Sequence, residues 1–263
     1  MGEAKRKQRT RKQVLSENPF CIYCRKPATT TDHCPPRSFF FERRWPDTYE
    51  FSCCKDCNDV SRFDEQALAF LVRIRFSDAQ RTAYGDEIKK LADALRNNQS
   101  SLIKEWMSEP STPLSTGSQF IYPRGWKTIH LGSLTHAMLD RFLVKLGKAL
   151  YFQHNNQIFD GIIYTHVIDM LSPNSSLEYF TTILKIAPLM PTLERNKQKL
   201  HDQFSYRFNH SAEHKALYAV VQFSEQLVFQ LLAISPEMEA ALLRNDPNIQ
   251  DIMGNRHDCG ELG

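Results

Sequence analysis

An α+β fold is the class this sequence predicts. A small cysteine-pinned finger of two strands and a helix should come first, followed by a larger domain of mixed helices and antiparallel strands. Three observations carry that expectation. Six of the seven cysteines lie between positions 21 and 57, and four of these form two Cys-x-x-Cys pairs. Short runs suited to strands lie between the pairs, and helical periodicity begins after the second. Past a Ser-, Thr- and Pro-rich stretch at 108–118, a long apolar stripe at helical spacing gives way to runs of period two. The expected organisation is a basic flexible arm at 1–18, the finger at 19–75, a helical connector at 76–107, a linker at 108–118 and an accessory domain at 119–263.

Each element has a local reason. Lys5, Arg6, Lys7, Arg9, Arg11 and Lys12 face only Glu3 in the first thirteen residues, which reads as an arm able to lie on phosphates. The alternative is a solvated start with no specific role. Cys21-Ile22-Tyr23-Cys24 is a turn. The β-branched run Thr29-Thr30-Thr31 leading into Asp32-His33 suits a strand, and Pro35-Pro36 ends it. Thr48 to Ser52 reads as a second short strand. From Asn58 onward, Val60, Phe63, Leu68, Leu71 and Val72 recur at about helical spacing. Ile88, Leu91, Ala92 and Leu95 mark an amphipathic helix over 86–96, and 102–107 adds a further turn or two. In the accessory domain, 120–131 is strand-like around Trp126, and Leu134, Met138, Phe142, Leu146 and Leu150 line a core helix. Phe204, Tyr206 and Phe208 share one face by period two. Residues 217–223 and 227–232 pair as a hairpin across Ser224-Glu225, with a helix over 215–233 as the alternative.

Composition limits the function classes. The 263 residues are 41% apolar and 24% charged, as in an ordinary globular protein and unlike a disordered or collagen-like chain. No run approaches about eighteen apolar residues, so no transmembrane helix is expected. The first twenty residues contain no apolar signal core, which points to a cytoplasmic chain. With 33 basic against 30 acidic residues, net charge alone names no partner. An odd cysteine count without an export signal argues for metal rather than disulfides.

Cys21, Cys24, Cys54 and Cys57 therefore read as four soft ligands for structural zinc, since two tight turns can each present two sulfurs at tetrahedral corners. Cys53 has the wrong spacing to Cys57 and is assigned to packing, as is Cys34. A four-sulfur site leaves no open position and cannot activate water, so any chemistry lies beside it. Asp32-His33 ends the first strand, and Asn58 directly follows Cys57 at the start of the helix. Asp and Asn oxygens are hard ligands suited to Mg²⁺, and the neighbouring imidazole can act as a general base on water.

The order Cys21-x-x-Cys24, Asp32-His33, Cys54-x-x-Cys57-Asn58 resembles the HNH, or ββα-metal, nuclease family. It is similar to the subgroup whose finger is pinned by four cysteines, as in endonuclease VII-like resolvases. The resemblance covers about residues 19–70. It implies that His33 deprotonates the attacking water, and that Asp32 and Asn58 bind one divalent cation, Mg²⁺ or Mn²⁺, at the scissile phosphate. It also implies that the cysteines hold zinc and that products carry 5′-phosphate and 3′-hydroxyl ends. The chain departs from the pattern in two places. The loop before the second knuckle lacks the Asn many members use to tie it down, with Asp47 as a stand-in, and the last motif residue is Asn58 rather than His.

Around this motif, Arg37, Arg43 and Arg44 are candidates to clamp a phosphate backbone, or else belong to a solvated loop. At least two of Phe39, Phe40 and Phe41 should pack inward, with base stacking as the alternative. Asp64 and Glu65 follow on the helix, where Glu65 shares a face with Asn58 as an auxiliary ligand or a solvated charge. His210 and His214 are not expected to share a face, and His257 and Cys259 read as an inert polar tail. The expected function is a metal-dependent endonuclease acting on nucleic acid, DNA before RNA, with no membrane role. The C-terminal domain would recognise substrate, a protein partner or a second copy of the chain. The alternative is a zinc-ribbon protein that binds nucleic acid or a partner without cutting.

Overall fold

A computed structural model describes residues 10–75, 77–108, 131–168, 177–224, 227–246, 249 and 253–259. Most of the linker and the strand expected at 120–131 lie outside them. The protein is an α+β chain carrying its four-cysteine cluster near the N-terminus.

Helix α1 (Arg11–Glu17) opens the described chain, so the expected arm is helical from Arg11 onward. Thr10 and Gln13 form a capping box, and Val14 is buried. The Arg11 guanidinium bonds the Thr29 carbonyl, anchoring α1 on the finger. Strands β1 (Thr30–His33) and β2 (Glu50–Cys53) then pair antiparallel, with Asp32 opposite Phe51 and His33 opposite Glu50. Helix α2 (Lys55–Arg73) follows immediately, three residues ahead of the expected start, because Cys54 caps it by accepting the Cys57 amide on its sulfur. Helices α3 (Asp78–Ala83), α4 (Gly85–Asn98) and α5 (Ser100–Met107) complete this half.

Helix α6 (Ser133–Asn155) is the spine of the molecule, and all ten residues from Phe142 to Tyr151 are buried. A helix enclosed on all sides must be covered by several layers. Its N-terminus is capped from α5. The Glu105 carboxylate accepts the amides of Leu134 and Thr135 at 2.8 and 2.9 Å, and the Trp106 indole donates to the Thr135 hydroxyl at 2.8 Å.

Strand β3 (Ile162–Ile168) follows, then α7 (Leu177–Ile186). A small hairpin comes next, β4 (Glu194–Arg195) with β5 (Gln198–Lys199), and after it β6 (Phe204–Ser211), β7 (Ala216–Phe223), β8 (Leu227–Ile234), α8 (Pro236–Asn245) and β9 (Asn255–Asp258). An antiparallel sheet runs in the order β6-β7-β8-β3-β9. The hairpin reading of the 217–232 region is the one realised. The polar tail is not inert: Asn255–Asp258 pairs with β3 as an edge strand, and Cys259 is buried. Gly147 lets α6 approach the sheet closely, since a Cβ there would sit 3.1 Å from Ile163 Cδ1.

The core runs unbroken from the finger into the sheet. Phe39, Phe40 and Phe41 are all buried. Phe39 packs on Phe142 of α6 and Phe223 of β7, Phe40 on Phe204 of β6, and Phe41 stacks on Tyr84. Arg73, only 3% exposed, donates to the carbonyls of Ser38 and Phe40 and pairs with Glu87. The expected boundaries at 75 and 118 therefore do not separate independent cores.

Candidate functional site

The first knuckle is built by backbone bonds. The Cys21 amide donates to the Lys26 carbonyl at 2.8 Å, the Arg25 amide returns to the Cys21 carbonyl at 2.9 Å, and Arg25 takes φ of 64° to close the turn. The second knuckle is the first turn of α2. Together they bring the sulfurs of Cys21, Cys24, Cys54 and Cys57 within 4.8 Å of one another, with Cys24 and Cys54 3.6 Å apart. Tetrahedral sulfurs about 2.3 Å from one ion lie about 3.8 Å from each other, so the donor set and spacing suit a metal ion such as zinc. Among the described residues this is the one group of three or more His, Cys, Asp or Glu arranged to hold a metal. Cys34 and Cys53 are buried outside it, matching the packing role expected of them. Lys148 of α6, 2% exposed, donates to the carbonyl of Tyr23 inside the first knuckle and to that of Cys259. Were a dication held there by four thiolates, the positive charge of this lysine would offset part of their net negative charge.

A cleft of about 720 Å³ opens next to this cluster. It is lined by Asp32 and His33 from the end of β1, Asn58 from the first turn of α2, and Arg37, Arg43 and Arg62. The three residues expected to act together thus share one cavity. The arginines make it a place where an anion is favoured. Arg44 does not belong to it: its guanidinium pairs with Glu42 and donates to Gln198. Its place on the exposed loop is the other of the two readings the sequence offered.

His33 has a side chain only 10% exposed. Burial, followed by the nearby Arg37 charge, lowers its pKa to about 4, so the ring is neutral at physiological pH. Arg37 lies 2.7 Å from Nε2 through Nη2. A guanidinium can only donate, so Nε2 accepts and the ring proton sits on Nδ1. Trp45 meets the imidazole edge-on at 5.0 Å.

Asp32 is 4% exposed and fully engaged on one side. Its Oδ2 accepts from the Tyr23 hydroxyl at 2.6 Å and pairs with Lys145 Nζ at 2.9 Å. Lys145 also reaches Glu65 at 2.5 Å and donates to the Ser61 hydroxyl at 2.7 Å. Burial raises the Glu65 pKa, while Lys145 opposes that shift. Glu65 is therefore a half-buried partner of Lys145, not a solvated helix charge. Asp64 forms a two-point bond with Arg141. Every described bond to the Asp32 carboxylate goes to Oδ2, and Asn58 is half-buried with no described partner for its side-chain amide. Asp32 and Asn58 both line the cleft and carry hard oxygens, a donor chemistry that suits a hydrated divalent cation, although Lys145 competes for the Asp32 charge.

The sequence reading missed Tyr23, Trp45, Arg62, Lys145 and Arg195. Lys145 had a signal: seven residues past Met138, it falls on the buried side of the α6 stripe. Asp47, the expected loop anchor, ties to the distant β4–β5 hairpin. It pairs with Arg195 at 2.8 Å, and its amide donates to the Glu194 carbonyl at 2.9 Å. His210 lies on β6 and bonds Asn155, and His214 lies in the following turn, so the two form no site. No described helix is long and apolar enough to cross a membrane.

Comparison with protein-family models, with curated proteins and with solved structures found no match for this chain.

Proposed function

We propose that the finger is a metal-dependent endonuclease of the HNH, ββα-metal type, hydrolysing nucleic-acid phosphodiesters with DNA as the preferred substrate. One observation carries the reading: Asp32, His33 and Asn58 line a single cleft with three arginines, beside a cysteine cluster that clamps the strand pair to the helix. A protein that only binds nucleic acid has no need of that trio.

In this reading His33 is the general base. Its ring is neutral, and Nε2 is the atom that takes the proton from water. Arg37 now donates to that atom, so substrate must first draw its guanidinium onto a phosphate oxygen, a geometry guanidinium groups favour. Arg43 and Arg62 add positive charge along the cleft and hold the strand. Asp32 and Asn58 would hold Mg²⁺ or Mn²⁺, which supplies Lewis-acid stabilisation of the charge on the phosphate and the leaving oxygen. Tyr23 and Lys145 fix the Asp32 carboxylate in orientation. Zinc is the proposed occupant of the cysteine cluster, with a purely structural role.

A second reading has a specific observation in its favour. Both candidate catalytic groups are engaged by cations, His33 by Arg37 and Asp32 by Lys145. A non-catalytic zinc-ribbon binder would keep them so. Nicking of supercoiled plasmid with Mg²⁺ or Mn²⁺ separates the two. The nuclease reading expects cutting that is lost in His33→Ala, while equal nicking by both proteins, or none by either, rejects it.

A further inference from the structure

The β4–β5 hairpin lies about 150 residues from the finger in sequence and is docked against the finger's loop. The contact is specific. Asp47 pairs with Arg195, the Asp47 amide bonds the Glu194 carbonyl, and Arg44 donates to Gln198. The Arg195 guanidinium carbon stacks 4.0 Å from the Trp45 ring centroid, and the Arg37 guanidinium carbon stacks 4.1 Å from the same ring. Trp45 thus touches three groups: Arg195, Arg37 and the His33 imidazole. Arg195 is itself well covered, with a side chain only 12% exposed, so it braces the stack without reaching bulk solvent. Arg37 is the member that faces the cleft, and its Nε is buried without a hydrogen-bond acceptor. A buried guanidinium N–H without an acceptor is costly, and an anionic oxygen entering the cleft would satisfy it.

We propose that Arg195 is a positioning residue for phosphate binding in the cleft: through Trp45 it holds the Arg37 guanidinium beside His33, from where it can turn from Nε2 to an entering phosphate oxygen, so the C-terminal half of the chain completes the site that receives a nucleic-acid phosphodiester. The identity of that ligand rests on the nuclease reading. The bracing itself rests on the stack. Planarity is what the arrangement requires. A guanidinium lies flat on an indole, whereas an ammonium acts as a point charge on a flexible stem. Lysine in place of Arg195 therefore keeps the charge and loses the brace. The accessory region is thereby given a defined duty, independent of any protein partner.

The test uses the full chain with its cysteine-bound metal and a short DNA duplex without Mg²⁺ or Mn²⁺. The protein carries 5-fluorotryptophan at its three tryptophans, and Trp45→Phe assigns the resonance. Duplex should shift the Trp45 fluorine signal in the parent protein. Arg195→Gln and Arg195→Lys should both weaken binding, by roughly five- to thirty-fold, the range of a stacked cation contact. Trp45→Leu should give the same loss from the other side of the stack. An unmoved Trp45 signal, full rescue by lysine, or parental affinity in all three variants would overturn the proposal. Unfolding curves and metal content, equal to the parent's, identify variants that remain folded. Trp45→Phe, which keeps an aromatic face, should lose less than Trp45→Leu, and an equal loss would also count against the stack. Adding Mg²⁺ separates the two ideas. Duplex bound through Arg195 but never cut leaves the brace standing and removes the nuclease. His33-dependent cutting at parental affinity and rate in both Arg195 variants does the reverse.

Discussion

Replacing Lys145 by methionine keeps the volume of the side chain and removes its charge, which isolates the electrostatic work of the buried cluster beside the cleft. Lys145 lies 2.9 Å from Asp32 and 2.5 Å from Glu65, and these three side chains are 10%, 5% and 19% exposed. At such distances each pair attracts by about 6 kcal/mol at an effective dielectric of about 20. Most of that attraction offsets the desolvation of the three groups. Removing one partner leaves the rest uncompensated, at a cost of about 3–5 kcal/mol. At about 2–4 °C per kcal/mol for a chain of this size, Lys145→Met should lower the melting temperature by roughly 6–20 °C near neutral pH. The deficit should depend on pH with a definite sign. Burial already raises the Glu65 pKa, and loss of Lys145 raises it further. A carboxyl group with a raised folded pKa contributes fully below its unfolded value, about 4.3, and loses that contribution as pH rises through the folded value. The gap between variant and parent should thus narrow at about pH 5 and widen at about pH 8. Adding Glu65→Gln to the variant should recover part of the loss. Urea unfolding at both pH values, without added divalent cation, measures it. A variant as stable as the parent, or a gap unaffected by pH, would refute the account of the cluster.

Other outcomes follow from the same geometry. Purified protein should carry about one zinc per chain, and Cys54→Ser should lose both the metal and the cooperative unfolding of the finger, read by elemental analysis and calorimetry. Folded protein with all four cysteines and no metal would contradict the cluster. DNA affinity should fall steeply with salt. Deleting residues 1–9, which carry Lys5, Arg6, Lys7 and Arg9, should reduce the logarithmic slope by about 0.9 for each phosphate those side chains neutralise. An unchanged slope takes the arm out of the interface.

The finger was legible where chemistry restricts spacing. Two Cys-x-x-Cys pairs admit few geometries, so the order turn, strand, strand, helix could be read directly, as could the burial of the phenylalanine run. The period-two faces of β6 and the β7–β8 hairpin were legible for the same local reason. What was not legible comes from distant pairing. Asn255–Asp258 is polar along its whole length, and only its register against β3 makes it a strand. Lys145 and Arg195 reach the site from elements about 110 and 160 residues past Asp32, and no local pattern announces such a meeting. The helical start at Arg11 did leave a trace, the Thr-x-x-Gln capping box, under a run of charge that read as disorder. The sharing of one core was not legible either, because the aromatic residues of the finger find their partners on α6 and the sheet.

Everything functional depends on Asp32 and Asn58 holding one hydrated cation within reach of His33. Electron paramagnetic resonance of added Mn²⁺ reads that most directly, in protein whose cysteine site is already filled with zinc. One bound Mn²⁺ per chain is expected, strongly weakened in Asp32→Asn and in Asn58→Ala and retained in His33→Ala. Mn²⁺ that stays free in the parent protein, or binds equally well in all three variants, would contradict the account.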